Sequence, residues 1–334
     1  MTKLSVLDLV PVVEGGSVRE ALIRAADLAQ HAEELGFERY WTAEHHGMPG
    51  IASAATSVVL AHVGAATKTI RIGAGGIMLP NHAPLAIAEQ FGTLEALFPG
   101  RIDLGLGRAP GSDQRVAQAM RRNMMSGAEN FPQDVMELQA FLTGDPRLAF
   151  QATPGEGSNV PLWILGSSLY GAQLAAHLGL PYAFASHFAP DMLDEALHIY
   201  RRDFKPSAQL QTPYTMAGFN IFAADTQEEA ELIATSAMQM VVALRTGTPG
   251  RLKPPVAGYR ETLPPMAQSM LANFFAASSI GTQEDVERDL SAFIRRTRVD
   301  EVIVSGFIHD PDARKKSLSI GMAAMQTIEA KVAA

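Results

Sequence analysis

Short apolar runs alternate with longer amphipathic stretches along almost the whole chain. Leu4–Val10 reads as a first strand. Beyond Gly15–Gly16 the period lengthens, with Ala21, Ala25, Leu28, Ala32 and Leu35 recurring at helical spacing inside Ser17–Gly36. Ser17 with Glu20 three residues later is a capping box, and Gly36 is the C-terminal stop. The same alternation predicts further strands at Arg39–Ala43, Ile70–Ile77, Arg101–Gly107, Pro161–Leu165, Tyr182–Ser186, Met216–Ala223 and Glu301–Ser305. Helices are predicted between them at Ser53–Ala66, Leu85–Phe98, Tyr170–Leu178, Pro190–Phe204, Gln227–Val241 and Gln283–Arg296.

Eight strands separated by helices are the signature of parallel βαβ units. The fold class is therefore α/β, and the count favours a closed (β/α)8 TIM-type barrel over a doubly wound open sheet. No repeat, low-complexity tract or linker divides the chain, so residues 1–334 are expected to form one domain. Two connections exceed the pattern, from Arg108 to about Gly157 and from about Leu244 to Ile280. Insertions after barrel strands lie at the C-terminal, active-site face. The Pro-rich stretch Gly247–Pro265 reads either as a substrate lid or as a surface excursion.

Composition narrows the partners. Lys+Arg 27 against Asp+Glu 35 leaves a net charge of −8 with no dense basic run, which disfavours nucleic acid and anionic membrane surfaces. The chain has no cysteine, which excludes disulfides, thiolate metal sites and cysteine nucleophiles. The N-terminus lacks the form of a secretory signal and no apolar run reaches membrane-spanning length, so a cytoplasmic protein is expected.

Three segments at strand ends carry candidate chemistry. Trp41-Thr-Ala-Glu-His-His46 places Glu44, His45 and His46 where barrels hold their catalytic groups, and imidazoles suit proton transfer near neutral pH. The blander reading is one locally bonded histidine and one facing solvent. Adjacent residues on an extended segment point to opposite faces, so His45 and His46 are poorly placed to share an ion, and no metal site is expected. Leu104-Gly-Leu-Gly-Arg-Ala-Pro-Gly111 lacks dinucleotide-turn spacing, yet it puts Arg108, with forked donors suited to phosphate, after a glycine-rich strand end. Leu165-Gly-Ser-Ser-Leu-Tyr-Gly171 joins a strand to a helix N-terminus, where Ser167, Ser168 and free amides form an anion site or Ser168 serves only as the cap.

Taken together, three stretches resemble the luciferase-like monooxygenases, in particular their small single-chain bacterial branch. They are Tyr40–His46, Gly73–Pro80 running on to Pro99–Arg108, and Trp163–Ser168. The resemblance implies a (β/α)8 barrel that takes FMN, as reduced FMN from a separate NAD(P)H:flavin reductase, and uses it with O2 to oxidise a small organic substrate. It implies that His45 is the catalytic histidine beside the flavin, with Glu44 and His46 as neighbours. It places the phosphate on Arg108 and Ser168, with Ser167 and Gly171 adjacent, and a non-prolyl cis peptide at Gly75–Gly76 against the flavin ring. Where light-emitting members carry a reactive cysteine before the phosphate arginine, this chain has Gly107. Long-chain aldehyde and light emission are therefore not implied. A homodimer through Ser53–Ala66 and Leu85–Phe98 is expected. The rival readings are a deazaflavin-dependent dehydrogenase of the same fold and a flavin-binding protein without turnover.

Overall fold

The computed structural model describes residues 2–109, Val116, Ala119 and 129–333. Its strands, all parallel, are β1 (Lys3–Leu7), β2 (Arg39–Thr42), β3 (Arg71–Met78), β4 (Ile102–Gly107), β5 (Leu162–Gly166), β6 (Tyr182–Phe184), β7 (Thr215–Ala223), β8 (Ser278–Gly281) and β9 (Glu301–Ser305). Eight of them close a ring in the order β1 to β7 and then β9, which pairs with β1; β8 stands outside and pairs only with β7. The long β7 carries both ladders, Met216–Asn220 against β9 and Asn220–Ala223 against β8. This is a TIM-type barrel, as expected.

Among the described residues the helices are α1 (Val18–Leu35), α2 (Thr56–Ala66), α3 (Pro84–Leu97), α4 (Phe131–Thr143), α5 (Leu169–Leu178), α6 (Leu193–Asp203), α7 (Gln227–Arg245), α8 (Pro265–Phe274), α9 (Gln283–Thr297) and α10 (Pro311–Ala333). Helices α4, α8 and α10 were not predicted from sequence; the other seven were, and the first shows why. Ser17 and Glu20 form the reciprocal capping box, and Gly36 closes the helix at φ 84. None of the described helices is long and apolar enough to cross a membrane.

Inside the ring, side chains stack in layers by strand alternation. At the N-terminal end Arg39 is buried between two carboxylates, donating to Glu301 at 2.6 and 2.9 Å and to Asp103 at 2.6 Å. Ser5 and Tyr214 also donate to Glu301, and Arg71 donates to Asp103. The middle layer is apolar: Leu7, Trp41, Trp163, Ala183, Met216 and Ile303, with the two indoles edge to face at 5.1 Å. The next inward positions are small, among them Ala43, Gly75, Gly105, Ala185, Gly218 and Ser305.

Three departures from the sequence expectation have local causes. Strand β1 stops at Leu7 because Asp8, fully buried, turns the chain by accepting the Val10 amide at 2.7 Å while Val10 takes φ 53. The same carboxylate accepts from Tyr40 at 2.5 Å and from Arg314 of α10 at 2.8 Å. The two long connections are partly regular: α4 lies in the first, α8 and β8 in the second. Within Gly247–Pro265, Leu252 is buried and exchanges backbone hydrogen bonds with the loop after β1, its own N–H reaching the Val12 carbonyl at 2.9 Å. The stretch packs on the C-terminal rim beside Gly50.

Candidate functional site

The C-terminal end of β2 splits its neighbouring residues between two environments. Glu44 points away from the lumen and is almost completely buried. It accepts hydrogen bonds from His46 at 2.6 Å, from His82 at 2.9 Å and from the Met78 amide at 2.9 Å. Burial works to raise its pKa, but His82, His46 and the Met78 N–H together hold the carboxyl below its usual range. The Glu44 amide donates to the Gly76 carbonyl at 3.0 Å, so Glu44 grips the Gly76–Met78 segment at two points. His46 belongs to this satisfied cluster. Among the described residues no three His, Asp or Glu side chains are arranged to hold a metal ion.

His45 has the opposite orientation. It shares the inward parity of Trp41 and Ala43, and its Nδ1 is shut off from solvent without a hydrogen-bond partner. Burial pushes its pKa below the ordinary histidine value, leaving a neutral imidazole at pH 7.

Beside it, the Gly75–Gly76 peptide bond is cis. A Cβ on Gly75 would lie 2.7 Å from the Trp41 ring, and one on Gly76 would lie 2.5 Å from the Gly105 carbonyl oxygen and overlap Leu165. A Cβ on Gly107 would meet Met78 Sδ at 3.0 Å. These glycines are needed where neighbouring strands and side chains pack closely, since a side chain there would strike protein atoms.

On the adjoining rim Arg108 is exposed, with its guanidinium carbon 4.0 Å from the centre of the Tyr170 ring. Tyr170 lies in the first turn of α5, whose N-cap is Ser168. Ser168 occupies the cap position, yet its hydroxyl makes no cap hydrogen bond and both Ser167 and Ser168 are exposed. Arg108 and the α5 N-terminus therefore meet at one edge of the mouth, as the sequence suggested. Gly171 sits deeper, packed against Gly166 and Tyr182, where it lets α5 approach β5.

Sequence reasoning missed three residues here. His82 bonds Glu44. His187 follows the end of β6 with its Nδ1 buried and unpartnered, and Asn220 on β7 holds its carbonyl at 2.8 Å. The rule that singled out His45, a polar residue just past a barrel strand, applies equally to His187. Residues 110–115, 117–118 and 120–128 of the first long connection lie outside the described residues.

Comparison with known proteins decides the family. The luciferase-like monooxygenase family model matches residues 2–301. The chain belongs to this family. A luciferase-like monooxygenase of Escherichia coli strain K12 is 53% identical over 319 residues, 95% of each chain. The N-acetyl-S-alkylcysteine monooxygenase of Bacillus subtilis strain 168 is 31% identical, covering 99% of this chain and 100% of the relative. Of solved structures, apo-MsnO8 superposes with a TM-score of 0.86 at 30% identity, covering 98% of this chain and 99% of that one. The oxygenating constituent of 3,6-diketocamphane monooxygenase from the CAM plasmid of Pseudomonas putida, in complex with FMN, shares the fold at TM-score 0.69 and 16% identity, covering 96% of each.

Proposed function

We propose that residues 1–334 act as one FMN-dependent monooxygenase unit that oxidises a small organic substrate with O2. The observation that carries this is the meeting of Arg108, an uncommitted Ser168 hydroxyl and the α5 N-terminus at the edge of a glycine-lined mouth. A phosphate suits that edge: forked guanidinium donors and free helix amides both favour a dianion. Arg108 and Ser168, with Ser167, would hold the phosphate, while Gly75, Gly76 and Gly107 leave room for a planar ring against the backbone. Gly171 supports the same corner by bringing α5 against β5. FMN is the flavin held by 3,6-diketocamphane monooxygenase, whose barrel is similar.

Bound reduced FMN supplies two electrons that, with O2, put one oxygen atom into the substrate and release the other as water. The chain's own residues bind, orient and move protons. His45, neutral and inward, is the proton-transfer group at the ring, and Glu44 positions the backbone beneath it while His46 and His82 hold Glu44. The remaining partners are the small-molecule substrate, a flavin reductase delivering reduced FMN, and a second copy of the chain docking through α2 and α3, where Val58 and Leu97 are exposed.

Fluorescence titration with FMN, reduced FMN and oxidised deazaflavin cofactor tests the reading. Tightest binding of reduced FMN is expected, and preference for the deazaflavin would make the chain a dehydrogenase of this fold. Failure of all three to bind would remove flavin altogether. Arg108→Ala should weaken FMN about tenfold to a hundredfold, the worth of a charge-assisted hydrogen bond. His45→Ala should keep FMN and lose substrate oxidation; a carrier without turnover would show no activity to lose.

A further inference from the structure

His187 lies in the turn that follows β6, and β6 is four strands in the ring of eight from β2, the strand that leads to His45. Its backbone is anchored to β7 twice. Ser186 Oγ donates to the Gly218 carbonyl at 2.6 Å, and Asn220 Nδ2 donates to the His187 carbonyl at 2.8 Å. The side chain has the inward parity of Ala183, and its ring lies over β7 where a Cβ on Gly218 would overlap Nδ1. Gly218 shares the face of Met216, which belongs to the middle layer. The imidazole therefore occupies the lumen one layer above the apolar core, and only glycine at 218 leaves it space.

A histidine kept for packing is satisfied locally, as His46 and His82 are on Glu44. His187 is not: its Nδ1 is sealed from water with no partner, as are His45 Nδ1 and, after β9, His309 Nε2, although His45 also interacts with the Ala43 backbone. An unpaired buried nitrogen is costly, and His45 and His187 carry theirs just beyond the ends of two strands that stand four apart in the ring of eight. Building on the FMN assignment above, we propose that His187 contacts the flavin ring from the side of the mouth formed by the ends of β6 and β7, with the imidazole edge that is not packed on Gly218. Asn220 and Gly218 are positioning residues for it. Burial and the neighbouring His45 press the His187 pKa down to about 4, so it meets the ring as a neutral group. A neutral imidazole offers one donor and one acceptor and adds no charge to the pocket.

The test compares FMN with riboflavin, which lacks the phosphate, by fluorescence titration and visible absorbance. His187→Ala should weaken both flavins by the same factor, about tenfold, and shift the visible band of the bound ring. Gly218→Ala, which displaces the imidazole without removing it, should give the same pattern. Arg108→Ala should weaken FMN alone. Wild-type affinity for both flavins and an unshifted band in His187→Ala and Gly218→Ala would overturn the role of His187, while loss of FMN in Arg108→Ala left the flavin assignment standing. If wild type bound neither flavin, the assignment and this inference would fall together.

Discussion

The two ends of the barrel solve opposite problems with the same kinds of residue. At the N-terminal end every charge has its partner: Arg39 lies between Asp103 and Glu301, and Ser5, Arg71 and Tyr214 complete the set. At the C-terminal end several inward residues shrink to alanine, glycine or serine, and three buried imidazole nitrogens, on His45, His187 and His309, have no hydrogen-bond partner among the described residues. A saturated network holds a shape, whereas an unsatisfied one invites a ligand. Stability and binding are in this way assigned to opposite ends of the same strands, a division common to barrels of this kind.

Substitutions at the two ends should therefore separate the two properties. The largest effect is expected from Arg39→Ala, which leaves two carboxylates buried without their cation and should cost about 3–5 kcal/mol by denaturant unfolding. Folded Arg39→Ala protein should still bind FMN; a selective loss of flavin at unchanged stability would erase the contrast. Gly218→Ala comes next, with overpacking worth about 1–3 kcal/mol at most and its principal effect on flavin affinity. Glu44→Gln should cost about 1–2 kcal/mol, because His46 and His82 lose a charged acceptor while the Met78 amide keeps a neutral one. Its unfolding curve sharpens the division, since Glu44 stands at the upper end yet is fully partnered. With the Glu44 pKa lowered in the folded state, its contribution is present above the unfolded carboxylate pKa and fades as pH falls through the folded one.

The smallest effect is a slope. His187 has a folded pKa of about 4 against an ordinary value of 6.5, so the unfolded chain binds more protons between those limits. Stability from this group is complete above about pH 6.5 and declines as pH falls toward 4. Melting temperatures of His187→Gln should fall less steeply than those of wild type across that window. Equal slopes would mean that the imidazole is not buried as described.

The barrel was legible because its signals are local. All eight ring strands were readable from apolar runs, and the α1 capping box and Gly36 stop are contained within a few residues. Helix α4 also carried a pattern, with Phe131, Val135, Leu138, Phe141 and Leu142 on its buried face, but the expectation of a loop masked it. In α8 the paired Pro264–Pro265 read as a helix breaker, although proline at the first helical position is compatible with helix. The four-residue β8 is too short to show a period. At the candidate site, His45, Arg108 and Ser168 were singled out because each follows a strand in a recognisable stretch. The Glu44–His82 bond and the fit of His187 over Gly218 join residues distant in sequence, and no local pattern reports such meetings.

The bond from Arg314 to Asp8 has a consequence for how the protein comes into being. The acid and its cation are separated by 306 residues, and β1 gains its second neighbour only once β9, Glu301–Ser305, has been made. At ribosomal speeds of about 5–20 residues per second, the first strand and its buried carboxylate wait about 15–60 s for their partners. Until then one edge of β1 is open to other chains, which makes a nascent, half-made barrel the species most in need of chaperone protection.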